Sequence, residues 1–157
     1  MAPAGLRHGG LGAELTASLH DFVRRNGLGL VTVAETGFII SRPDEPDTVL
    51  APDVAFIASE RVPAPDSPDW GRFPRLVPDL VAEIASPSQY RPEMEAKVRR
   101  WLDAGARLVW VFWPLAKEVD IWTGEDSAGP RTLRKQETMH GEPVLPGFEL
   151  PLATLWE

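Results

Sequence analysis

Residues 80–85 read Leu-Val-Ala-Glu-Ile-Ala, an apolar run interrupted by a single charge, Glu83. Alternate side chains of a strand point to opposite faces, so a short run that is apolar at both odd and even positions predicts a central strand covered on both sides. Ser86-Pro87-Ser88 breaks the run. Beyond it Met94, Val98, Trp101 and Leu102 recur at helical spacing as far as Gly105, a residue suited to a helix C-cap. Residues 108–113, LVWVFW, form a second buried-type strand closed by Pro114. Strand, helix and strand over 80–113 predict a parallel pair joined by a right-handed crossover, and hence an α/β core.

Working outward, Leu11, Leu15, Leu19 and Phe22/Val23 mark one face of an amphipathic first helix, with Glu14, Asp21, Arg24 and Arg25 opposite and Gly27 and Gly29 as stop signals. LVTVA at 30–34 and GFII at 37–40 are β-rich and separated by a short turn, which predicts a hairpin between them. A loop follows over 42–47, then a strand DVAFIA over 53–58, then a long irregular segment over 59–78 holding five prolines. EVDIWT at 118–123 alternates like a partly exposed neighbour of 108–113. The run 131–137 and the tail LPGFELPLATLW add an edge strand and a closing segment, and no internal repeat is present.

The 157 residues, 43% of them hydrophobic, predict a single domain spanning 1–157. No apolar run approaches the roughly 18 residues of a membrane span, and the opening stretch MAPAGLRHGG lacks the apolar centre of a signal peptide, so a cytoplasmic protein is expected. The absence of cysteine excludes disulfides, zinc-thiolate sites and cysteine nucleophiles, and leaves oxygen or imidazole to hold any metal. A net charge of −7 argues against a broad basic surface, although a nucleic-acid enzyme can gather its cations on one face. The 16 prolines and 13 glycines fall at segment borders and punctuate the fold.

A carboxylate inside an apolar strand costs roughly 2–7 kcal/mol or more unless a cation or hydrogen bonds offset it. Glu83 therefore needs a partner. Asp53 opens its own strand directly after Pro52, and if the two strands are neighbours the carboxylates can converge on one ion. Magnesium suits such a place, since it takes oxygen ligands and keeps several waters when one or two carboxylates hold it. Water bound there becomes more acidic.

Pro52-Asp53 followed by VAFI, then Pro78-Asp79-Leu80-Val81-Ala82-Glu83-Ile84-Ala85-Ser86-Pro87-Ser88, Lys97 in the next helix, and Gly105 before RLVWVFWP form an ordered set. It resembles the restriction-endonuclease-like family of the PD-(D/E)XK nuclease superfamily, over nearly the whole chain. His8, Leu11, Leu15 and Leu19 are similar to that family's first-helix spacing, and residues 145–150 to its C-terminal turn. The resemblance implies a restriction-endonuclease-like core, a central mixed β-sheet flanked by helices. It also implies magnesium- or manganese-dependent hydrolysis of phosphodiester bonds, with Asp53 and Glu83 as metal ligands and Lys97 orienting the attacking water or offsetting developing charge. A nucleic acid, DNA foremost, is the partner it implies, and a homodimer is compatible because cutting two strands takes two sites. The aromatic strand 108–113 with its exposed neighbour would supply the dimer surface. In the superfamily's usual arrangement the lysine stands two residues after the glutamate, where this chain has Ala85; here its counterpart has migrated to the helix as Lys97. Two further departures are Trp101, where the family usually has tyrosine, and Gly9-Gly10, which loosens the first helix.

Each residue has a plainer alternative. Lys97 can pair with Glu93 on an exposed helix face, Glu83 can pair with Arg91 or Arg99, and Asp53 can merely start a strand. Asp79 is read as a turn residue ahead of a third ligand, His8 as a helix-start or surface residue, and Glu14 and Glu35 as solvated charges. The tryptophans suit base stacking in principle, but core and interface roles are their commoner use. For the chain as a whole, the alternative is a catalytically inactive nuclease-fold binding or assembly module.

Overall fold

A computed structural model describes residues 5–124 and 128–156; the first four residues of the opening stretch lie outside it. The elements follow in the order α1 (Leu6–Asn26), β1 (Gly29–Val33), β2 (Phe38–Ile40), β3 (Thr48–Leu50), β4 (Val54–Ala58), β5 (Leu80–Ile84), α2 (Arg91–Ala104), β6 (Leu108–Trp113), β7 (Glu118–Thr123), β8 (Arg131–Arg134), β9 (Thr138–Gly141) and β10 (Leu145–Pro151). Six strands form one mixed sheet in the order β1-β4-β5-β6-β7-β8, while β2 with β3 and β9 with β10 form two small ribbons. Only β5 and β6 within the large sheet run parallel, joined through α2, as the apolar patterning of 80–113 predicts.

The two buried runs separate cleanly by parity. Leu80, Ala82, Ile84, Leu108, Trp110 and Phe112 face the layer containing Leu11, Leu15, Leu19 and Val23 of α1, closed by Phe148 and Trp156 from the C-terminal segment. Val81, Ala85, Val109 and Val111 face Met94, Val98 and Trp101 of α2, together with Phe38 and Ile40 of the β2–β3 ribbon. Leu15, Leu19, Val98 and Trp101 are fully enclosed, and each aliphatic chain so buried contributes about 1.5–3 kcal/mol. Left-handed glycines stop both helices: Gly27 (φ 61°) returns its N–H to Arg24 and Val23, and Gly105 (φ 116°) to Leu102 and Trp101.

Several expectations need correction. The first two β-rich runs do not pair with each other. β1 pairs antiparallel with β4, Leu30 opposite Ile57, whereas β2 pairs with β3 across the 42–47 loop. Gly9 and Gly10 lie inside α1, which begins at Leu6; the packed row from Leu11 to Val23 outweighs the roughly 1 kcal/mol that each glycine costs. β7 is the partly exposed neighbour of β6 that its alternation predicts, with Glu118, Ile121 and Thr123 half-buried, but β8 pairs along its outer edge and Asp120 on its polar side is buried. The aromatic strand β6 lies between β5 and β7 and is buried along its length except at the half-buried Trp113. Among the described residues, no helix is long and apolar enough to cross a membrane.

Candidate active site

The antiparallel register of β4 and β5 sets Val54 opposite Ala82, so one step further Asp53 stands across from Glu83. Pro52, itself buried, brings the chain into β4 and leaves Asp53 as the last residue before the ladder. There the aspartate replaces a backbone acceptor: its Oδ2 takes the N–H of Ile84 at 2.7 Å. The bond fixes the carboxylate to the end of the neighbouring strand. Its Oδ1 faces Nε2 of His8, 3.5 Å away at the start of α1.

Glu83 is 2% exposed. Its Oε2 accepts from Nζ of Lys97 at 2.7 Å and its Oε1 from Nε1 of Trp101 at 3.0 Å. Lys97 and Trp101 are four residues apart on α2 and therefore share one face, which lies over β5. Burial pushes the Glu83 carboxyl above its ordinary range; the Lys97 ammonium and the indole N–H pull it down, and Asp53 pushes it up again. The net upward shift means that burial outweighs the two donors. Metal-free, the stability linked to this group is present at pH values below the ordinary glutamate range and is lost as pH rises through the raised value.

The plainer alternatives resolve as follows. Lys97 does not pair with Glu93; its side chain is one-third exposed and turns to Glu83. Arg91 pairs with Glu118 and Asp120, and Arg99 reaches Glu95 while stacking 5.2 Å over Trp122, so neither fills the acidic site. Asp79 lies at the opposite end of β5. Buried there, it accepts from Ala58 N–H at 2.8 Å and from Arg61 at 2.7 Å, which anchors the start of the 59–78 loop. It is not part of the group around Glu83. Glu14 and Glu35 are exposed.

Two participants were undervalued from sequence. His8, read as a helix-start residue, is close enough to steer Asp53. Trp101, read as a departure from the family's tyrosine, keeps a hydrogen-bond donor at Glu83 and loses only the hydroxyl form of it. Asp120, buried like Glu83 and Asp79, escaped notice because the alternation of 118–123 marks it as solvent-facing.

Among the described residues, no group of three or more His, Asp or Glu side chains comes together as a possible metal cage. The Uma2 family, described as a putative restriction endonuclease, matches residues 1–153. This chain belongs to the Uma2 family. The Uma2 fold assignment is matched in three dimensions by the crystal structure of a putative nuclease belonging to DUF820 from Anabaena variabilis, with a TM-score of 0.81 and 17% identity over 99% of this chain and 83% of that one. No curated protein matches the chain. The Uma2 chain thus has a restriction-endonuclease-like α/β fold and a nuclease-like character.

Proposed function

We propose that this chain is a metal-dependent nuclease that hydrolyses phosphodiester bonds of nucleic acid, DNA foremost, with Asp53 and Glu83 as ligands of magnesium or manganese and Lys97 as their electrostatic partner. The observation that carries this reading is the convergence of two carboxylates at one end of the β4–β5 ladder, with an ammonium 2.7 Å from the buried one. The donor set fits a hard cation. It is all oxygen, each carboxylate oxygen retains a free lone pair beyond its one neighbour, and two protein ligands leave the remaining positions to water, as magnesium prefers. The raised pKa of Glu83 points the same way, because a cation beside it offsets the burial that its own donors do not.

Bound there, the ion would acidify a water and polarise the phosphoryl oxygen. The protein's own residues supply orientation. Ile84 N–H and His8 hold Asp53 to one rotamer, while Trp101 and Lys97 hold Glu83. Lys97 spends one of its three N–H donors on Glu83 and keeps two for the attacking water or for negative charge developing on the phosphate.

Purified protein with magnesium or manganese is expected to cut members of a panel of single-stranded, duplex and branched DNA and RNA. The reading fails if every substrate stays intact, or if Glu83→Ala protein cuts as well as the wild type. A binding or assembly module without cleavage is the competing reading. One observation favours it: both oxygens of Glu83 already have partners within the chain. Substrate retained but uncut in the same panel would establish that alternative.

A further inference from the structure

Beyond the acidic pair, the C-terminal ends of β5 and β6 and the start of α2 enclose a cleft of about 310 Å³. The cleft begins at Ala85 and Ser86, and Ser86 is three residues past Glu83, at most about 10 Å of extended chain. Tyr90 and Leu115 stand on its rim at 63% and 66% exposure, and the half-buried Trp113 forms part of its wall. Two exposed large apolar side chains thus share one rim of the cleft.

The chemistry of the lining narrows the occupant. Among the described residues that line it, Arg91 is the only cation, stacked 4.7 Å over the Trp113 ring. Its guanidinium is committed to Asp120 and Glu118, each at 2.7 Å, so its charge is matched and the cleft is poorly built for a phosphate. What remains is neutral. The Tyr90 hydroxyl and the Gln89 side-chain nitrogen have no partner among the described residues, since Gln89 uses only its oxygen, on Ser86 N–H at 2.9 Å. The Ser86 hydroxyl meets only that of Ser88, at 3.2 Å. Flat π surfaces with uncharged donors and acceptors at their edge complement an unpaired nucleobase, whose faces stack and whose Watson–Crick edge is free. Continuous duplex withholds those faces and presents phosphates instead.

We propose that this cleft binds one unpaired nucleobase adjacent to the reacting phosphate, stacked against Tyr90 with Trp113 and Leu115 as its apolar wall. The chain would then favour single-stranded or frayed nucleic acid over continuous duplex. This inference rests on the nuclease reading of Asp53 and Glu83 for its orientation, and the test keeps the two apart.

Binding is followed by fluorescence anisotropy of a labelled single-stranded DNA oligonucleotide, with calcium replacing magnesium, and compared with the same sequence as a duplex. Tyr90→Ala is expected to weaken single-strand binding about tenfold, the scale of one lost stack, while leaving duplex binding unchanged. Tyr90→Phe retains most of the affinity, and Leu115→Ser, a second exposed position, weakens it in the same direction. An oligonucleotide with an abasic position at the nucleotide that sits in the cleft loses affinity for the wild type but not for Tyr90→Ala. Equal binding by wild type, Tyr90→Ala and Leu115→Ser overturns the proposal, and so does a wild type that binds no single strand. Cleavage with magnesium that is indifferent to both substitutions overturns the cleft and leaves the nuclease reading standing. Tyr90-dependent binding without any cleavage does the reverse.

Discussion

Glu83 and Asp120 occupy the same row of the sheet. Glu83 is opposite Val111 and Val111 opposite Asp120, so both acids project toward the α2 side, two strands apart, and both are at most 3% exposed. Their surroundings differ. Asp120 accepts from Arg91 and from the Trp113 indole at Oδ2 and from Thr132 at Oδ1, all within 2.6–2.7 Å, and Arg91 is braced in turn by Glu118. Glu83 has one ammonium and one indole, a second carboxylate nearby, and a pKa that burial still pushes upward. One acid is closed by three donors of its own chain; the other has two donors and a second carboxylate beside it, the place where the proposed cation would sit. Burial alone therefore does not single out a candidate carboxylate; in the proposed reading, incomplete compensation beside a second acid does.

Substitutions can break this contrast. The largest effect is expected at Glu83→Ala, with cleavage falling on the order of a thousandfold while the fold is retained by circular dichroism. Lys97→Ala is expected to lose about a hundredfold, with little recovery in Lys97→Arg, because the planar guanidinium does not reproduce a compact ammonium. Asp120→Ala should act on stability instead: about 3 kcal/mol in urea denaturation, the low end for a broken buried pair because Arg91 is half exposed, with the folded fraction still cutting. Equal loss of activity per folded molecule at Asp120 and Glu83 would dissolve the distinction. His8→Ala is expected to raise the metal concentration needed for half-maximal cleavage by about tenfold, without changing the fold. The smallest effect concerns pH. Metal-free wild type should lose stability relative to Glu83→Gln as pH rises from the ordinary glutamate range through the raised pKa, seen as converging or crossing melting temperatures.

The strand-helix-strand core was readable because each of its signals is local. Apolar continuity marked β5 and β6, helical spacing marked α2, and Gly105 marked its end. Strand partners were not readable. The turn at Glu35-Thr36 reverses the chain but does not say which strands will pair, and β1 found β4 across 20 or more residues of sequence. β3, three residues long, is too short to show a period. The same division runs through the site. Glu83 was legible from the cost of one charge in an apolar run, and Asp53 from its position at a strand start. His8 joins them only because α1 packs with its first turn over that end of the sheet, a tertiary fact with no sequence period. Asp120 escaped because alternation assigns a residue to a face, and in this sheet both faces are covered.

The bond from Ile84 N–H to Asp53 has a practical consequence. That amide proton is held by the aspartate's side chain, so its exchange with deuterated solvent reports on that carboxylate's orientation. Slow exchange at Ile84 that quickens in Asp53→Ala, while Val81 and Ala82 stay protected, would make one resonance a sentinel for the site, readable without substrate or label.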